Sequence, residues 1–440
     1  MKAHEIISKI KAKLFSQDFK DSHKINPQDF VRRSTLNFVN LTVLILNGVK
    51  KSLQVELFSL KKFSLPTLTK QAFSKARKKI STAVFIDLNY ELIHQFYREN
   101  QVKKWRGFVV YANDGSKLQV PDNNETRQHY GAAINRNSSM TMGIASHIYD
   151  VLNGITVAAE FAPLNISEKD LLYSLLKDLK NIKEKCNQEK ILLLLDRGFP
   201  GYVLFFLCQL LGIDFLARCK KDFSNIIEIM LASGEKDKII TYSWEKLNCR
   251  QKRDLNKLGI NLCDLKSMKL RILIVDLKNG EKEYLITSLI DQDEFEYECF
   301  SELYFMRWSI EENYKFYKVR IEIENFSGMS IQAIEQDFYA TILSSNIRSL
   351  IANEAQDKLK KNKNPKKRCD YKINKNISMG ALKDEILKML FNPKSNVKRF
   401  CDEIKRNMTM SATAIRPLRN YERKKKRTCR KYHMNQRRCY

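Results

Sequence analysis

Two aspartates come directly after stretches whose composition predicts β-strands. Asp114 ends the β-rich run GFVVYAND (107–114), and Asp196 follows five consecutive apolar residues in KILLLLDRGF (190–199). A short, wholly apolar run indicates a buried strand, and functional groups of α/β sheets gather at the carboxyl ends of such strands. Either aspartate alone would more often be a loop or cap carboxylate. Side by side on neighbouring strands, the two could bind a cation.

A third acidic residue belongs to a spacing pattern that a helix would bring onto one face. At about 100° per residue, one narrow face would hold Tyr304, Arg307, Glu311 and Lys318, whereas Glu312 would point elsewhere. A glutamate flanked by Arg and Lys could bind a metal ion while its basic neighbours hold a phosphate. The alternative is a set of ordinary ion pairs on a helix surface.

Three carboxylates that meet at one site repel each other unless cations bind between them. Carboxylate oxygens without accompanying Cys or His favour Mg²⁺ or Mn²⁺ over zinc, and two such ions would serve Asp114, Asp196 and Glu311. A pair of ions can activate a water or a 3′-hydroxyl and stabilise the leaving oxygen of an in-line displacement at phosphorus. The residue types therefore predict metal-dependent phosphoryl transfer.

The elements that must position these acids predict an α/β fold. From 107 to 218 the order reads β-β-β-α-β-α-β, and three meander strands followed by α/β units are typical of an RNase H-like mixed sheet. Residues 219–298 hold short alternating runs that do not continue this order, so they predict a β-rich insertion. Residues 299–320 and 330–353 predict two long helices, and the first of these carries Glu311.

The charge is concentrated in the two flanks of the chain. The net charge is +28; residues 1–80 carry 17 basic and 5 acidic side chains, and residues 355–440 carry 27 and 7. The middle of the chain is therefore slightly acidic. Basic flanks indicate a polyanionic partner, with nucleic acid as the default. An acidic centre is expected of a nuclease-like enzyme, because its metal-binding carboxylates must lie where the phosphate is placed.

The N-terminal flank reads as mostly helical, and its last segment, TLTKQAFSKARKKI (67–80), has a basic face. Thr67 or Thr69 could cap this helix, and Lys70, Lys75 and Arg77 are its candidate DNA contacts as the second helix of a helix-turn-helix. A surface helix with a solvated basic face explains the pattern equally well. Residues 355–376 predict a solvated linker, 378–407 a last helix, and the basic tail beyond them an extended segment.

Other features of the sequence restrict the cellular setting. The ten cysteines form no CxxC pair and indicate neither a zinc ribbon nor a disulfide framework. The charged start MKAHEIISKIKAK has no apolar core of a signal peptide, and no apolar stretch is long enough to span a bilayer. We therefore expect a cytoplasmic protein without membrane contact.

The combined motifs resemble those of a known family. The spacing Tyr304–x2–Arg307–x3–Glu311–x6–Lys318 matches the Y-R-E-K signature of DDE transposases from bacterial insertion sequences, in the insertion-sequence-four group. The segment NDGSKLQVPD resembles the first-Asp motif of that family, and ILLLLDRGF resembles the second. The resemblance covers roughly residues 30–435.

The resemblance implies a function as well as a fold. It implies that Asp114, Asp196 and Glu311 form the metal triad, with two Mg²⁺ or Mn²⁺ ions as cofactors. The implied DNA-end contacts are Tyr304, Arg307 and Lys318, and Trp244 would stack on a flipped base. The implied partners are double-stranded DNA, as the terminal inverted repeats of an element and its target, and a second copy of the chain in the synaptic complex. The implied location is the bacterial cytoplasm, in association with the nucleoid.

The sequence predicts five regions and leaves two questions open. The regions are a helical DNA-binding domain (1–100), the first part of the RNase H-like core (101–218), the β-rich insertion (219–298), the Glu-bearing helices (299–354) and a basic C-terminal region (355–440). Asp122 competes with Asp114, but it follows Pro121 in what should be a loop. An RNase H-like nuclease without strand transfer, or an inactive DNA-binding remnant or regulator, is the alternative to a transposase.

Overall fold

The structure is a computed structural model that describes residues 2–48, 51–63, 66–99, 102–135, 138–186, 190–277, 280–361 and 369–415. Its strands are β1 Val109–Gln119, β2 Ala132–Asn135, β3 Ser138–Asp150, β4 Ile155–Pro163, β5 Ile191–Leu195, β6 Asp214–Cys219, β7 Asp237–Tyr242, β8 Met268–Asp276, β9 Lys282–Thr287, β10 Tyr371–Lys372 and β11 Thr413–Ala414. The basic tail beyond residue 415 lies outside the described residues.

The helices occupy both flanks and the connections between strands. They are α1 Ala3–Phe15, α2 Gln17–His23, α3 Phe38–Asn47, α4 Leu53–Phe58, α5 Lys70–Arg77, α6 Ala83–Glu99, α7 Asn124–Tyr130, α8 Glu168–Lys185, α9 Tyr202–Leu211, α10 Asn225–Ser233, α11 Cys249–Lys257, α12 Cys299–Phe305, α13 Trp308–Lys315, α14 Ile331–Lys361, α15 Lys375–Leu390 and α16 Val397–Met410. A π-helical turn spans Phe316–Arg320 directly after α13.

The central sheet has the topology of an RNase H-like fold. Its inner strands lie in the order β4-β3-β1-β5-β6; β3 is antiparallel to β1 and β4, and β5 is parallel to β1 and β6. The turn between β3 and β4 contains Gly154 at φ +70°, which favours glycine. The Ser167 hydroxyl caps α8, as expected from the sequence. The α/β fold class is therefore confirmed.

The insertion differs from the sequence-based expectation in one respect. It contains three strands together with helices α10 and α11, and the strands continue the main sheet, because β9 pairs antiparallel with β6, followed by β8 and β7. The sheet therefore has nine strands within the described residues. The sequence predicted a β-rich insertion but not that its strands would extend the main sheet, since alternating apolar residues do not reveal which strand edge a segment will pair with.

The N-terminal and C-terminal helices pack together around α14. Helices α1 and α6 contact α14, and α16 contacts both α1 and α14. Buried side chains from α1, the sheet, α14 and α16 belong to one hydrophobic core, with Ile6, Leu193, Ile347 and Ile404 as examples. Helices α1 and α6 of the N-terminal region and α16 of the C-terminal region, far apart in sequence, are thus neighbours in the fold.

Three helix boundaries depart from the sequence-based prediction. The expected helix over 299–320 is broken between α12 and α13, although Met306 and Arg307 keep right-handed helical angles. Helix α14 continues to Lys361, through part of the expected linker, because Ala355 is buried and its neighbours are good helix formers. The expected helix over 378–407 is two helices, separated at Pro393, whose ring cannot continue an α-helix.

None of the helices in the described ranges combines the length and apolar character that a bilayer-spanning segment requires.

Candidate active site

Asp114 and Asp196 are brought together by the pairing of β1 with β5. The parallel register runs from Val109 opposite Ile191 to Asn113 opposite Leu195, so each aspartate follows the last pair directly. The parallel ladder stops there, but β1 does not, because it stays paired with β3 as far as Gln119. The expectation that Asp114 ends its strand was therefore wrong, whereas the side-by-side placement of the two aspartates is observed.

Asp114 lies in a partly buried position that disfavours its charge. Burial raises the pKa of the Asp114 carboxyl to about 6; the Gly115 amide and the Arg307 guanidinium act in the opposite direction, and Glu168 and Glu311 raise it further. The Gly115 amide donates to Asp114 Oδ1 at 2.9 Å. A bound divalent cation would stabilise the charged form of a carboxylate that lies buried beside other acids.

Glu311 lies beside Asp196, and Arg307 connects them. Arg307 is buried (3% exposed), and its Nη2 donates to Glu311 Oε1 at 2.6 Å and lies 4.0 Å from Asp196 Oδ1. Within the described residues, Nε and Nη1 of Arg307 have no hydrogen-bond partner. One guanidinium therefore gathers two of the three candidate acids and keeps further donors available.

Tyr304 also contacts the second aspartate. Its hydroxyl donates to Asp196 Oδ1 at 3.2 Å, and its ring lies 5.7 Å from the Arg307 guanidinium. Burial raises the pKa of Tyr304, so the phenol stays neutral and remains a donor. Tyr304 therefore orients the Asp196 carboxylate.

Tyr314 attaches the Glu-bearing helix to the sheet. Its hydroxyl donates to the carbonyl oxygens of Asp114 (2.9 Å) and Ala145 (3.1 Å), which lie on adjacent strands β1 and β3. The Tyr314 ring stacks on buried His147 with centroids 4.6 Å apart. These contacts fix helix α13 over the strand that carries the first aspartate.

Lys318 reaches the same strand further along. It lies in the π-helical turn, and its Nζ donates to the Lys117 carbonyl at 2.7 Å. The π-turn departs from the regular 100° spacing that the sequence analysis assumed. Lys318 nevertheless stays on the side of α13 that faces β1.

The three carboxylates are suitable ligands for divalent cations, but in the described conformation they are not close enough together to bind one ion jointly. Asp114, Asp196 and Glu311 supply hard oxygen ligands, as Mg²⁺ and Mn²⁺ prefer. In the part of the chain that the structure describes, no three His, Cys, Asp or Glu side chains are grouped closely enough to hold a metal ion. The Arg307 guanidinium lies between Asp196 and Glu311 and neutralises part of their charge.

Asp122, the competing first aspartate, is engaged elsewhere. Its carboxylate accepts from Nη2 of Arg127 at 2.7 Å and from the Thr141 hydroxyl at 2.7 Å, and Arg127 Nε also pairs with it. This is the pattern of a structural loop carboxylate, so the geometry favours Asp114.

Two neighbours of the site were missed by the sequence analysis. Glu283 on β9 pairs with Arg218 at 3.3 Å, and its pKa is raised first by burial and also by Asp196, which places it near the second aspartate. Trp308 is 42% exposed, with its ring 5.9 Å from the Arg307 guanidinium. Trp308 directly follows Arg307 in the sequence, so its position in the motif could have indicated it. Glu283 could not have been found in this way, because its position near Asp196 depends on the pairing of β9 with β6, which the sequence analysis did not predict.

The predicted DNA contacts on α5 fall into two groups. Lys70 and Lys75 are exposed, and the Thr69 hydroxyl caps the helix. Arg77 is 4% exposed, and its guanidinium donates to the side chains of Gln336, Ser327 and Asp337 and to the Ala333 carbonyl. These bonds use the guanidinium to join α5 to α14, so they favour a structural role for Arg77 over the predicted DNA contact.

Trp244 lies in the insertion, in the short 3₁₀ turn Trp244–Lys246. Its ring is partly buried against the hydrophobic core, and Lys252 Nζ lies 5.7 Å from the ring centroid. Its role as a stacking platform stays a prediction.

The family model described as "Transposase DDE domain" matches residues 105–347. The chain belongs to the DDE transposase family. The match covers more than half of the transposase and includes Asp114, Asp196 and Glu311, and it excludes α1 to α6 and α15 to α16.

No curated protein matches the transposase. A solved structure similar to it is the cryo-EM structure of a piggyBac transposase synaptic complex with hairpin DNA; the two chains are 9% identical, the alignment covers 91% of this chain and 84% of that chain, and the TM-score is 0.47. The family assignment does not depend on this similarity.

We expect Tyr304→Phe to raise the metal concentration that the transposase needs for DNA cleavage, without unfolding the protein. Loss of the hydroxyl leaves Asp196 without a donor that orients it, and such outer contacts change metal affinity by about 10- to 100-fold. The measurement is the Mn²⁺ concentration that gives half-maximal DNA cleavage, with the melting temperature as the control for folding. An unchanged Mn²⁺ requirement would show that the hydroxyl does not tune Asp196.

Proposed function

We propose that this chain is the transposase of an insertion sequence, which cuts the element ends and joins their 3′ ends to target DNA. The observation that carries the proposal is the adjacency of Asp114 and Asp196 at the end of the β1–β5 ladder, with Glu311 held beside them by Arg307. Membership of the DDE transposase family supports the same chemistry.

The residues around the acids would bind and orient DNA. Arg307 has two donors without a partner in the described part of the chain, and a guanidinium binds phosphate oxygens in a fork. A phosphate that draws Arg307 away would free Glu311 and Asp196 for cations. Lys318 would hold the same strand of DNA, and exposed Trp308 offers a ring on which a base can stack.

The proposed cofactors are two Mg²⁺ or Mn²⁺ ions held by Asp114, Asp196 and Glu311. When bound, they would activate the attacking water or 3′-hydroxyl and stabilise the leaving oxygen. The protein side of the step is to keep Asp196 oriented through Tyr304 and to keep α13 fixed on β1 through Tyr314.

The remaining partners follow from charge and from the reaction. The basic flanks would bind the terminal inverted repeats of the element. Joining two ends to one target requires both to be held together, and a homodimer supplies two active sites in one synaptic complex. Such a complex would act on the nucleoid in the bacterial cytoplasm.

We expect Lys70→Ala and Lys75→Ala each to weaken binding to the element ends. Each exposed lysine would contribute one phosphate contact, so each substitution should lower the slope of log affinity against log salt by about 1. Binding is measured at several salt concentrations, and Lys180→Ala on α8 is the matched control. Slopes equal to that of the control would place the DNA away from α5.

A cleavage and strand-transfer assay tests the proposed function. The substrate is a DNA fragment that carries the pair of inverted repeats flanking the gene. A labelled plasmid is added as the target, with Mg²⁺ or Mn²⁺ present. A transposase cuts the ends and joins them, a nuclease without strand transfer cuts only, and an inactive remnant binds without cutting. Cleavage that is independent of divalent metal would contradict the proposal.

A further inference from the structure

Glu168, the first residue of α8, lies against the backbone next to the first aspartate. A Cβ atom added at Gly115 would lie 2.7 Å from Glu168 Oε1, 2.8 Å from its Cδ and 2.9 Å from its Cγ. The Glu168 side chain therefore occupies the space that a larger residue at position 115 would need. Gly115 directly follows Asp114, and its amide donates to Asp114 Oδ1. A fourth carboxylate thus lies at the candidate active site.

The first turn of α8 is fixed at this edge of the sheet. Lys169 Nζ donates to the Pro200 carbonyl at 3.3 Å, in the segment that follows Asp196. The same helix contacts strands β1, β3 and β4. The start of α8 therefore reaches both segments that carry the aspartates, and the position of Glu168 is set by a packed helix.

An acid in the first turn of a helix has an ordinary explanation in the partial positive charge at that end. Asp170 fits this explanation, because its carboxylate accepts from the Ser167 hydroxyl that caps α8, at 2.6 Å. Glu168 differs, since no donor or basic side chain of the described residues is paired with its carboxylate. It lies near Asp114 instead, and its charge helps to raise the pKa of that carboxyl. Neighbouring carboxylates of this kind are stabilised by a cation.

An independent observation at the same site points to a ligand. Arg307 is 3% exposed, and its Nε and Nη1 have no hydrogen-bond partner in the described part of the chain. The Arg307 charge also acts on Asp114, as that of Glu168 does. Buried donors and an acid that both lack partners at one site fit a ligand that carries both signs of charge, such as a DNA phosphate with its metal ion.

We propose that Glu168 is a fourth carboxylate of the metal site and that its charge strengthens the binding of the ion beside Asp114. This inference rests on the proposed function. Two divalent ions carry four positive charges, whereas Asp114, Asp196 and Glu311 supply three negative charges. Glu168 supplies the fourth, so the charges of two ions and four carboxylates balance.

The test measures Mn²⁺ binding to the full-length protein on a duplex of the element end. The duplex ends at the cleavage position and has no 3′-hydroxyl, so no reaction takes place, and free Mn²⁺ is followed by electron paramagnetic resonance with the duplex alone as background. We expect Glu168→Gln to raise the dissociation constant of one Mn²⁺ ion at least about tenfold, and Glu168→Asp to raise it less. The matched control is Glu184→Gln, an exposed acid at the other end of α8, which should leave the constant unchanged.

Gly115→Ala separates the position of the carboxylate from its charge. The added Cβ would displace the flexible end of Glu168 and leave every charge intact, so the same Mn²⁺ constant should rise. Because both changes act through one carboxylate, the double variant Gly115→Ala with Glu168→Gln should bind Mn²⁺ no more weakly than Glu168→Gln alone. The melting temperature of each variant is the control for folding.

A Mn²⁺ constant in Glu168→Gln equal to that in Glu184→Gln overturns the proposal, and so do additive effects of Gly115→Ala and Glu168→Gln. The result is distinguishable from a failure of the proposed function, because Asp114→Asn should lose an ion whether or not Glu168 acts on it. Loss of Mn²⁺ in Asp114→Asn without any change in Glu168→Gln keeps the site of three acids and removes the fourth. A wild-type protein that binds no Mn²⁺ contradicts both.

Discussion

Replacing Asp114 by Asn is expected to abolish DNA cleavage while binding to the element ends is retained. Asn keeps the shape of the side chain and removes the negative charge that would hold a cation. Asp196→Asn and Glu311→Gln should behave in the same way, because a cation held by three carboxylates loses several kcal/mol when one charge is removed, which corresponds to at least about three orders of magnitude in rate. The rate of strand cleavage with Mg²⁺ and the affinity for DNA are measured in parallel.

Asp122→Asn is the matched control for Asp114→Asn. Asp122 lies eight residues further along the same segment and pairs with Arg127 and Thr141. Arg127 is exposed and Asp122 is partly buried; an ion pair near the surface contributes about 0–1 kcal/mol, so cleavage should stay close to the wild-type rate. Normal cleavage by the Asp114→Asn variant would remove Asp114 from the triad, and loss of cleavage in Asp122→Asn alone would assign the first position to Asp122.

Replacing Arg77 by Ala is expected to destabilise the whole protein. Its Nη2 is paired with Asp337 at 3.0 Å, and both side chains are almost fully buried. Removing one partner leaves an uncompensated charge in the interior, which costs about 3–5 kcal/mol. The free energy of unfolding from urea denaturation measures the loss, and the same variant should bind DNA with unchanged salt dependence wherever it is still folded.

Lys75→Ala provides the control on the same helix. Lys75 is exposed, so its loss should change the free energy of unfolding by less than about 0.5 kcal/mol while lowering the salt slope of DNA binding. The double variant Arg77→Met with Asp337→Leu should recover part of the lost stability, because apolar side chains replace a buried pair without leaving a charge. Stability of Arg77→Ala equal to that of the wild type would contradict the structural role.

The core of the site could be predicted because its residues follow local rules. The apolar run before Asp196 fixes a buried strand, and the spacing of Tyr304, Arg307 and Glu311 fixes a helix face. Both kinds of information lie within a few residues of the acids. The parallel register of β1 with β5 then needed only the order of elements in an RNase H-like sheet.

The other features of the site and of the fold depend on contacts between residues far apart in the sequence, which local patterns do not reveal. Arg77 looks like its exposed neighbour Lys75 in the sequence, but its partner Asp337 is 260 residues away. The pairing of β9 with β6, which brings Glu283 near Asp196, is equally nonlocal. The contact of Arg307 with Asp196 needed two elements more than a hundred residues apart in the sequence to be placed together. Net charge and helical periodicity do not show whether a basic side chain is exposed or is paired with an acid far away in the sequence.

The most direct test of the metal site is a structure of the protein with its element-end duplex and Mn²⁺, with the ions located by anomalous scattering. We expect two ions about 3.5–4 Å apart, bound by Asp114, Asp196 and Glu311, with the Arg307 guanidinium moved from Glu311 to a DNA phosphate. Ions bound elsewhere, or an Arg307 that still bridges Asp196 and Glu311 while the DNA is cut, would contradict it.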